Sequence, residues 1–309
     1  MTFSWNPVTD LRDMWQYSFM QNAFEAGTII AIVAGIIGYF VILRRSAFAT
    51  HALGHVGFSG AAGAVLIGVN PVYGLLAFTT AGGAGMALLG RKAASRDIEI
   101  GTVLAFMLGV GLLFLNLYKG FATEAYSILF GEILGISNAG VVFTFETSLV
   151  VLAVLALVHR PLLFASLDED VAEAKGLPTL LLGLVFMVLL AVAISIAVQV
   201  VGVLLIFALM VTPAAIAVRV TRRPLYAVLV SVLVALFATW MGLFIAWYEP
   251  PAPASFFIVS IAFGSYVAVR VASELAARLA PRAQPPALPS GNAAGPRAAG
   301  PADLQGGTG

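Results

Sequence analysis

Two of the three histidines in this 309-residue chain, His51 and His55, lie four residues apart in a segment of glycine and alanine. On an α-helix, residues four apart share one face about one turn apart, so both imidazoles can bind one metal ion. The same spacing binds zinc in HExxH proteases, where a glutamate after the first histidine is the general base. Ala52 stands at that position here, which argues against an intramembrane hydrolase and leaves a candidate metal-binding pair.

Two histidines do not complete a tetrahedral zinc site, and the chain has no cysteine, so further ligands must come from elsewhere in the chain or from a second copy. Small residues after His51 permit close helix approach and predict that two copies of this helix meet near a symmetry axis. These residues are Gly54, Gly57, Gly60, Ala61, Gly63 and Ala64.

A plainer interpretation stays open, in which both histidines only form hydrogen bonds across a helix interface. Four carboxylates are weaker candidate ligands, and two of them, Glu99 and Glu146, lie near predicted helix ends, where solvation is expected. The four are Glu25, Glu99, Glu132 and Glu146.

The composition is that of a polytopic membrane protein. Hydrophobic residues make up 61% of the chain and charged residues 10%, with a mean hydropathy of +1.00, whereas soluble domains carry about 25% charged residues. The net charge of +1 gives no basic field for nucleic acid. The pattern predicts an all-α membrane protein.

Nine apolar segments are candidate membrane spans. The 201–218 segment contains Thr212-Pro213, so eight full spans plus one broken helix is the alternative. The nine segments are 23–43, 47–69, 71–90, 99–118, 141–158, 178–199, 201–218, 225–247 and 255–276.

The basic residues predict the orientation. With the N-terminus outside, 14 of the 16 lysines and arginines fall on the inner side, all except Arg12 and Lys119. This divides the chain into an extracytoplasmic segment over 1–22, a transmembrane domain over 23–276 and a disordered cytoplasmic tail over 281–309. The segment 120–139 then lies outside, as an interfacial helix or as a gate element.

The 160–178 loop carries signals for a short cytoplasmic helix from about Leu167 to Lys175. Ser166 and Glu169 have capping-box spacing, Asp168 adds negative charge to the first turn, and Gly176 suits the position after the helix. We interpret this helix as a docking site for a partner protein, with a plain loop helix as the alternative. Its apolar stripe is Leu167, Val171 and Ala174.

The chain carries no nucleotide site of its own. A phosphate-binding loop needs lysine directly after its second glycine, but Arg91 follows Gly90, and Lys92 comes next, at a helix end. Transport driven by ATP would therefore need a separate ATP-hydrolysing subunit, and the chain is not predicted to be an enzyme.

Together these stretches resemble the permease subunits of ABC importers for zinc, manganese or iron, over about residues 20–275. That family carries a motif of the form (G/A)-D-x-L-x-H-x-x-x-x-G, and residues 50–60 read THALGHVGFSG. The family histidine falls on His55, and its aspartate falls on His51. Further matches are LFGEIL at 129–134, EAKGLP at 173–178 and VGVLLIFALMVTPAA at 201–215.

The resemblance implies a type II ABC importer-like fold in the bacterial inner membrane. It also implies a homodimeric pore, ATP-hydrolysing subunits in the cytoplasm, an extracytoplasmic metal-binding protein and no resident cofactor. Because His51 replaces an oxygen ligand with nitrogen, zinc is favoured over manganese or iron as the transported ion. The ATPase-coupling residues it implies are Ser166, Asp168, Glu169, Glu173, Ala174 and Gly176.

One rival class is an ion-coupled secondary carrier of metal ions. Such a carrier would keep a relay of membrane-buried carboxylates and would not need a capped docking helix. This chain has signals for the helix and few deep carboxylates, so the ABC permease is favoured.

Overall fold

The computed structural model describes residues 12–89, 93–118, 131, 133–248 and 252–279, and every regular element in these ranges is helical. A short 3-10 turn, Ile133–Gly135, precedes α5. The helices are α1 (Ser18–Leu43), α2 (Ala47–Leu66), α3 (Pro71–Leu89), α4 (Ala93–Leu117), α5 (Asn138–Leu167), α6 (Glu169–Ala174), α7 (Thr179–Val201), α8 (Val203–Val220), α9 (Pro224–Tyr248) and α10 (Ala254–Leu279).

Each predicted apolar segment forms a helix, and the all-α membrane fold is confirmed. Seven helices in the described residues are long and apolar enough to cross a membrane, namely α1, α3, α4, α5, α7, α9 and α10. The apolar part of α8 is shorter, and α2, which carries the histidines, is not among the seven. The count of nine spans therefore stays a prediction.

Two helix boundaries differ from the sequence prediction. Helix α8 continues through Pro213, and the interruption falls instead at Gly202, whose φ of 85° ends α7 and starts α8. A positive φ is readily adopted only by glycine, so Gly202 rather than Pro213 fixes the interruption. Helix α5 likewise runs through Pro161 and ends at Leu167, nine residues beyond its predicted end.

Some predicted segments lie outside the described residues: the first half of 1–22, the tail over 281–309 and most of 120–139. By its internal contacts the chain divides into Met1–Val271 and Ala272–Gly309. Of the second unit, the structure describes only the end of α10.

Helix α2 is the most enclosed element near the candidate site. Thirteen of its 20 residues are buried, among them Leu53 and Phe58. It packs against α3 and α4, with further contacts to α7 and α8. A helix with this many polar and small residues is thereby surrounded by protein rather than by lipid.

The small residues of α2 make that enclosure possible, and the prediction that this face meets a second copy is wrong. A Cβ on Gly60 would collide with the Gly74 carbonyl oxygen of α3, and one on Gly57 would lie 2.8 Å from Thr79 Cγ2. On the α4 side, a Cβ on Gly63 would lie 3.0 Å from the Phe114 ring. Neighbouring helices of the same chain already occupy the face.

We predict that Gly60→Ala destabilises the protein by about 1–3 kcal/mol, because the added methyl group meets backbone and cannot be accommodated by a side-chain shift. The matched control is Gly85→Ala in α3, where an added Cβ meets nothing within 4 Å. That variant should be neutral or slightly stabilising, since alanine is the better helix former. Thermal unfolding in detergent measures both, and equal stability of the two variants would contradict the packing described.

A second prediction concerns the orientation. In this cysteine-free chain, cysteines introduced at Val69, between α2 and α3, and at Arg222, between α8 and α9, should react from opposite sides. Val69 should react with an impermeant thiol reagent outside, and Arg222 only after the membrane is opened. Reaction of both positions from the same side would contradict the orientation derived from the basic residues.

Candidate metal-binding and docking sites

The two histidines of α2 form a pair, as their spacing predicts. The ring centroids of His51 and His55 are 4.8 Å apart, and the rings are nearly perpendicular, at 83°. Both side chains are half-buried. A metal ion on this face of α2 can therefore meet both imidazoles while water still reaches them.

Helix α8 supplies one wall of this pair. The Phe207 ring meets the His51 ring edge to face, with centroids 5.4 Å apart. Gly54 lets the start of α8 come close, since a Cβ there would lie 3.3 Å from Val203 Cγ1. The sequence analysis missed Phe207 because the contact joins helices about 150 residues apart and follows no local pattern.

His55 has a buried ring nitrogen without a partner. In the described part of the chain, no hydrogen bond reaches its Nδ1, and no residue there accepts or donates a hydrogen bond at the ring of His51. A buried polar atom left unpaired costs about 1–3 kcal/mol and calls for an explanation. The interpretation as interhelical hydrogen-bonding residues therefore finds no support at these positions, whereas a metal ion would use such a nitrogen.

The backbone around His55 is fixed by a hydroxyl group one turn further along α2. Ser59 Oγ lies 3.2 Å from the His55 carbonyl oxygen and also contacts the Met107 carbonyl of α4. One serine thus ties the histidine-bearing helix to its neighbour.

No cluster of three or more histidine, cysteine or carboxylate side chains occurs among the residues that the structure describes. Glu132 lies outside them. Glu25 and Glu146 instead line an apolar groove of about 810 Å³ between α1, α5 and α9, which neither histidine lines. Glu99, expected to be solvated, has one carboxylate oxygen buried without a partner. A complete metal site within one chain is therefore absent from the described ranges.

The docking helix forms on the predicted loop, as α6. Asp168 has extended backbone angles, and its Oδ1 accepts a hydrogen bond of 3.0 Å from the Val171 amide. Glu169 and Asp170 occupy the first turn, where acidic groups are favourable. Gly176 has φ +80°, as expected after a helix end.

The end of α6 is closed by two backbone hydrogen bonds. The Gly176 amide donates to the Glu173 carbonyl at 2.9 Å, and the Leu177 amide donates to the Ala172 carbonyl at 3.1 Å. This pair of bonds is the Schellman motif. Lys175 adds a contact to α5, with its Nζ 5.2 Å from the Phe164 ring centroid.

The predicted capping box at Ser166 is wrong. Helix α5 extends to Leu167, so Ser166 is a helical residue whose hydroxyl donates to the Leu162 carbonyl and accepts from Arg44 Nη1 at 3.3 Å. The extended backbone of Asp168 separates the two helices and makes Asp168 the cap. The start of the docking helix therefore moves from Leu167 to Glu169.

The docking segment, from the end of α5 through α6, exposes apolar side chains. Leu167 is 66% exposed and Val171 42% exposed, whereas Ala172 is fully buried against the core. Glu173 and Ala174 are also exposed. The segment thus presents apolar side chains with a rigid backbone, which suits a protein partner better than open solvent.

We predict that Asp168→Ala loosens α6, because the Val171 amide loses its acceptor, at a cost of about 1 kcal/mol. Backbone amides over 169–174 should then exchange their hydrogens about fivefold faster, and hydrogen-exchange mass spectrometry measures the rate. Glu173→Ala is the control, since its acidic group lies at the unfavourable helix end. Equal exchange rates in the two variants would contradict the cap assignment.

Comparison with known proteins gives consistent matches over most of the chain. The profile of the ABC 3 transport family matches residues 16–273. The manganese transport system membrane protein MntC of Listeria monocytogenes is 32% identical over 214 residues, which cover 69% of this chain and 76% of that protein. The manganese import system permease protein ScaB of Streptococcus parasanguinis is 31% identical over 242 residues, 78% of this chain and 86% of that protein.

One similar solved structure is that of PsaBC from Streptococcus pneumoniae in complex with Fab. It superposes with a TM-score of 0.76 at 28% sequence identity, covering 85% of this chain and 94% of the matched chain. The helix arrangement described above is therefore shared with that structure.

Proposed function

The chain belongs to the ABC 3 transport family, and on this basis we propose that it is the permease subunit of an ATP-driven importer of divalent metal ions. The family consists of multi-pass membrane subunits of ABC transporters, and ATP is hydrolysed by a separate subunit. The chain is accordingly not an enzyme itself. Membership of this family argues against an ion-coupled carrier. Ala52, which stands where an HExxH protease has its glutamate, argues against a hydrolase.

The observation that carries the proposal is the pair of imidazoles on the enclosed helix α2. The ring centroids lie 4.8 Å apart, with the rings nearly perpendicular, and the buried Nδ1 of His55 has no partner in the described chain. A transport site must bind the ion and also release it, so two ligands from one chain with room for others suit the task. The remaining ligands are proposed to come from a second copy or from water.

We propose zinc as the preferred ion. Two imidazole nitrogens favour zinc over manganese, because nitrogen ligands raise affinity for the later first-row metals. The names of the relatives MntC and ScaB give manganese for those proteins. Manganese is therefore the second candidate for this chain, and iron(II) the third.

A homodimeric pore is part of the proposal, although the glycine face of α2 is not its interface. That face is filled by α3 and α4 of the same chain. We propose that the second copy approaches from the side on which His51 and His55 stay half-exposed. An extracytoplasmic metal-binding protein would deliver the ion to this pore.

The ATPase is proposed to dock on α6 in the cytoplasm. The exposed apolar side chains of Leu167 and Val171 would form the contact, and the cap at Asp168 and the turn at Gly176 would hold its shape. Ser166, Glu169, Glu173 and Ala174 complete the proposed coupling segment.

The proposal predicts the metal dependence of transport in vesicles that contain this chain and its ATPase subunit. His55→Ala should lower ATP-driven zinc uptake at least tenfold without preventing assembly, because a ligand of the pair is lost. His51→Asp should retain transport and shift the ratio of manganese to zinc uptake about tenfold towards manganese, since a carboxylate is the harder ligand. Competitive uptake of both ions measures the two effects.

The matched control is His159→Ala. That histidine lies on α5, exposed, with its Nδ1 in contact with the Ala156 carbonyl. Its removal should leave uptake unchanged. Normal zinc uptake by a variant lacking both His51 and His55 would refute the metal role of the pair.

A further inference from the structure

The turn between α1 and α2 is held by two backbone hydrogen bonds, and it places Arg44 seven residues before His51. Arg44 caps the C-terminal end of α1, and the next residue, Arg45, has a φ of 52°. The Arg45 amide donates to the Ile42 carbonyl at 3.1 Å, and the Ser46 amide donates to the Val41 carbonyl at 2.8 Å. These two bonds form a second Schellman motif, so a displacement of Arg44 carries the start of α2 with it.

The guanidinium of Arg44 contacts two other helices, α5 and α7. Its Nη1 donates to Ser166 Oγ in α5 at 3.3 Å. Its Cζ lies 5.5 Å from the centroid of the Phe186 ring in α7. A Cβ built on Gly183 of α7 would lie 3.5 Å from Nη2, which is ordinary contact, so the guanidinium lies beside the α7 surface at this glycine.

The end of α5 and the start of α7 flank the docking helix α6, and we call these two flanking segments its arms. Ser166 lies three residues before α6 begins at Glu169. On the other side, α7 begins at Thr179, five residues after α6 ends at Ala174. Arg44 therefore contacts the arm before α6 and the arm after it, and is itself fixed to the helix that carries the histidine pair.

We propose that Arg44 is the positioning residue that couples the docking segment to α2, acting through Ser166 and the α7 surface around Gly183 and Phe186. A shift of α6 imposed by the ATPase would move both arms, and Arg44 would pass this shift to the start of α2, below His51 and His55. The inference rests on the proposed function, because it presumes that an ATPase docks on α6.

The chemistry of arginine suits this task. A planar guanidinium has five N–H donors and can bond a hydroxyl group at its edge while its face lies on an aromatic ring. Lysine would keep the positive charge but cannot meet both arms at once. Arg44→Lys therefore separates the geometry of the contact from its charge.

The test uses the full complex of this chain with its ATPase subunit in vesicles, with zinc and manganese as the probe ions. The measured quantity is the ratio of metal transported to ATP hydrolysed. We expect Ser166→Ala and Arg44→Lys to lower this ratio about tenfold, the size expected for a lost hydrogen bond to a charged donor, while ATP hydrolysis continues. Ser166→Thr keeps the hydroxyl group and should restore the ratio.

Thr144→Val is the matched control in the same helix. The Thr144 hydroxyl donates to the Gly140 carbonyl of its own helix, so its loss removes a similar bond without a link between helices. The ratio should stay at its wild-type value. Combining Arg44→Lys with Ser166→Ala should lower the ratio no further than Arg44→Lys alone, because both act through one contact.

The outcomes distinguish this inference from the function on which it rests. A wild-type ratio in both Ser166→Ala and Arg44→Lys would overturn the coupling role and leave the permease function intact. Absence of ATP-driven uptake by the wild-type complex would overturn the proposed function instead. If Arg44→Lys fails to assemble, the comparison of Ser166→Ala with Ser166→Thr decides alone, since these variants alter a single hydroxyl-bearing side chain.

Discussion

Close contact between the backbones of α2 and α3 is the constraint on which the candidate site depends. Where Gly60 faces Gly74, no side chain separates the two helices, and each glycine lies against the carbonyl oxygen of the other. This proximity lets α3, α4, α7 and α8 surround a helix that is poor in large apolar residues. The two imidazoles are half-enclosed because their helix is surrounded in this way, and a larger residue at the crossing would open that enclosure.

Buried hydroxyl groups hold the helices around α2 in register with one another. The hydroxyl oxygens of Thr79 in α3 and Ser195 in α7 lie within hydrogen-bond reach of each other, and each also lies within reach of a carbonyl of its own helix. Ser59 performs the equivalent task between α2 and α4. Such buried bonds have defined partners and directions, so they set the register in which the helices meet, which apolar contacts alone leave loose.

The sequence predicted those features that depend on local physics. Hydropathy located the helices, the i, i+4 rule placed His51 beside His55, and the need for a positive φ identified Gly176. It failed where two local signals compete, since both Ser166 and Asp168 suit a helix cap and only the chain direction after Leu167 decides. It also failed for contacts between helices that are distant in the sequence. Small residues show that a helix can be approached closely, but they do not show which helix approaches. The residues next to Arg44 and Phe207 likewise give no sign of the side chains that these two contact.

The modest hydropathy of α2 bears on how the protein is made. By length and composition α2 is not among the helices apolar enough to cross a membrane, because each glycine, serine and histidine in it contributes little or unfavourably to partitioning. Only four residues separate it from α3, and the glycine contacts between the two need no other part of the chain. The pair is therefore suited to leave the translocon as one helical hairpin, with its polar side shielded before the later helices are synthesised. The same glycine contacts would thus serve both the insertion of this hairpin and the enclosure of α2 in the folded protein.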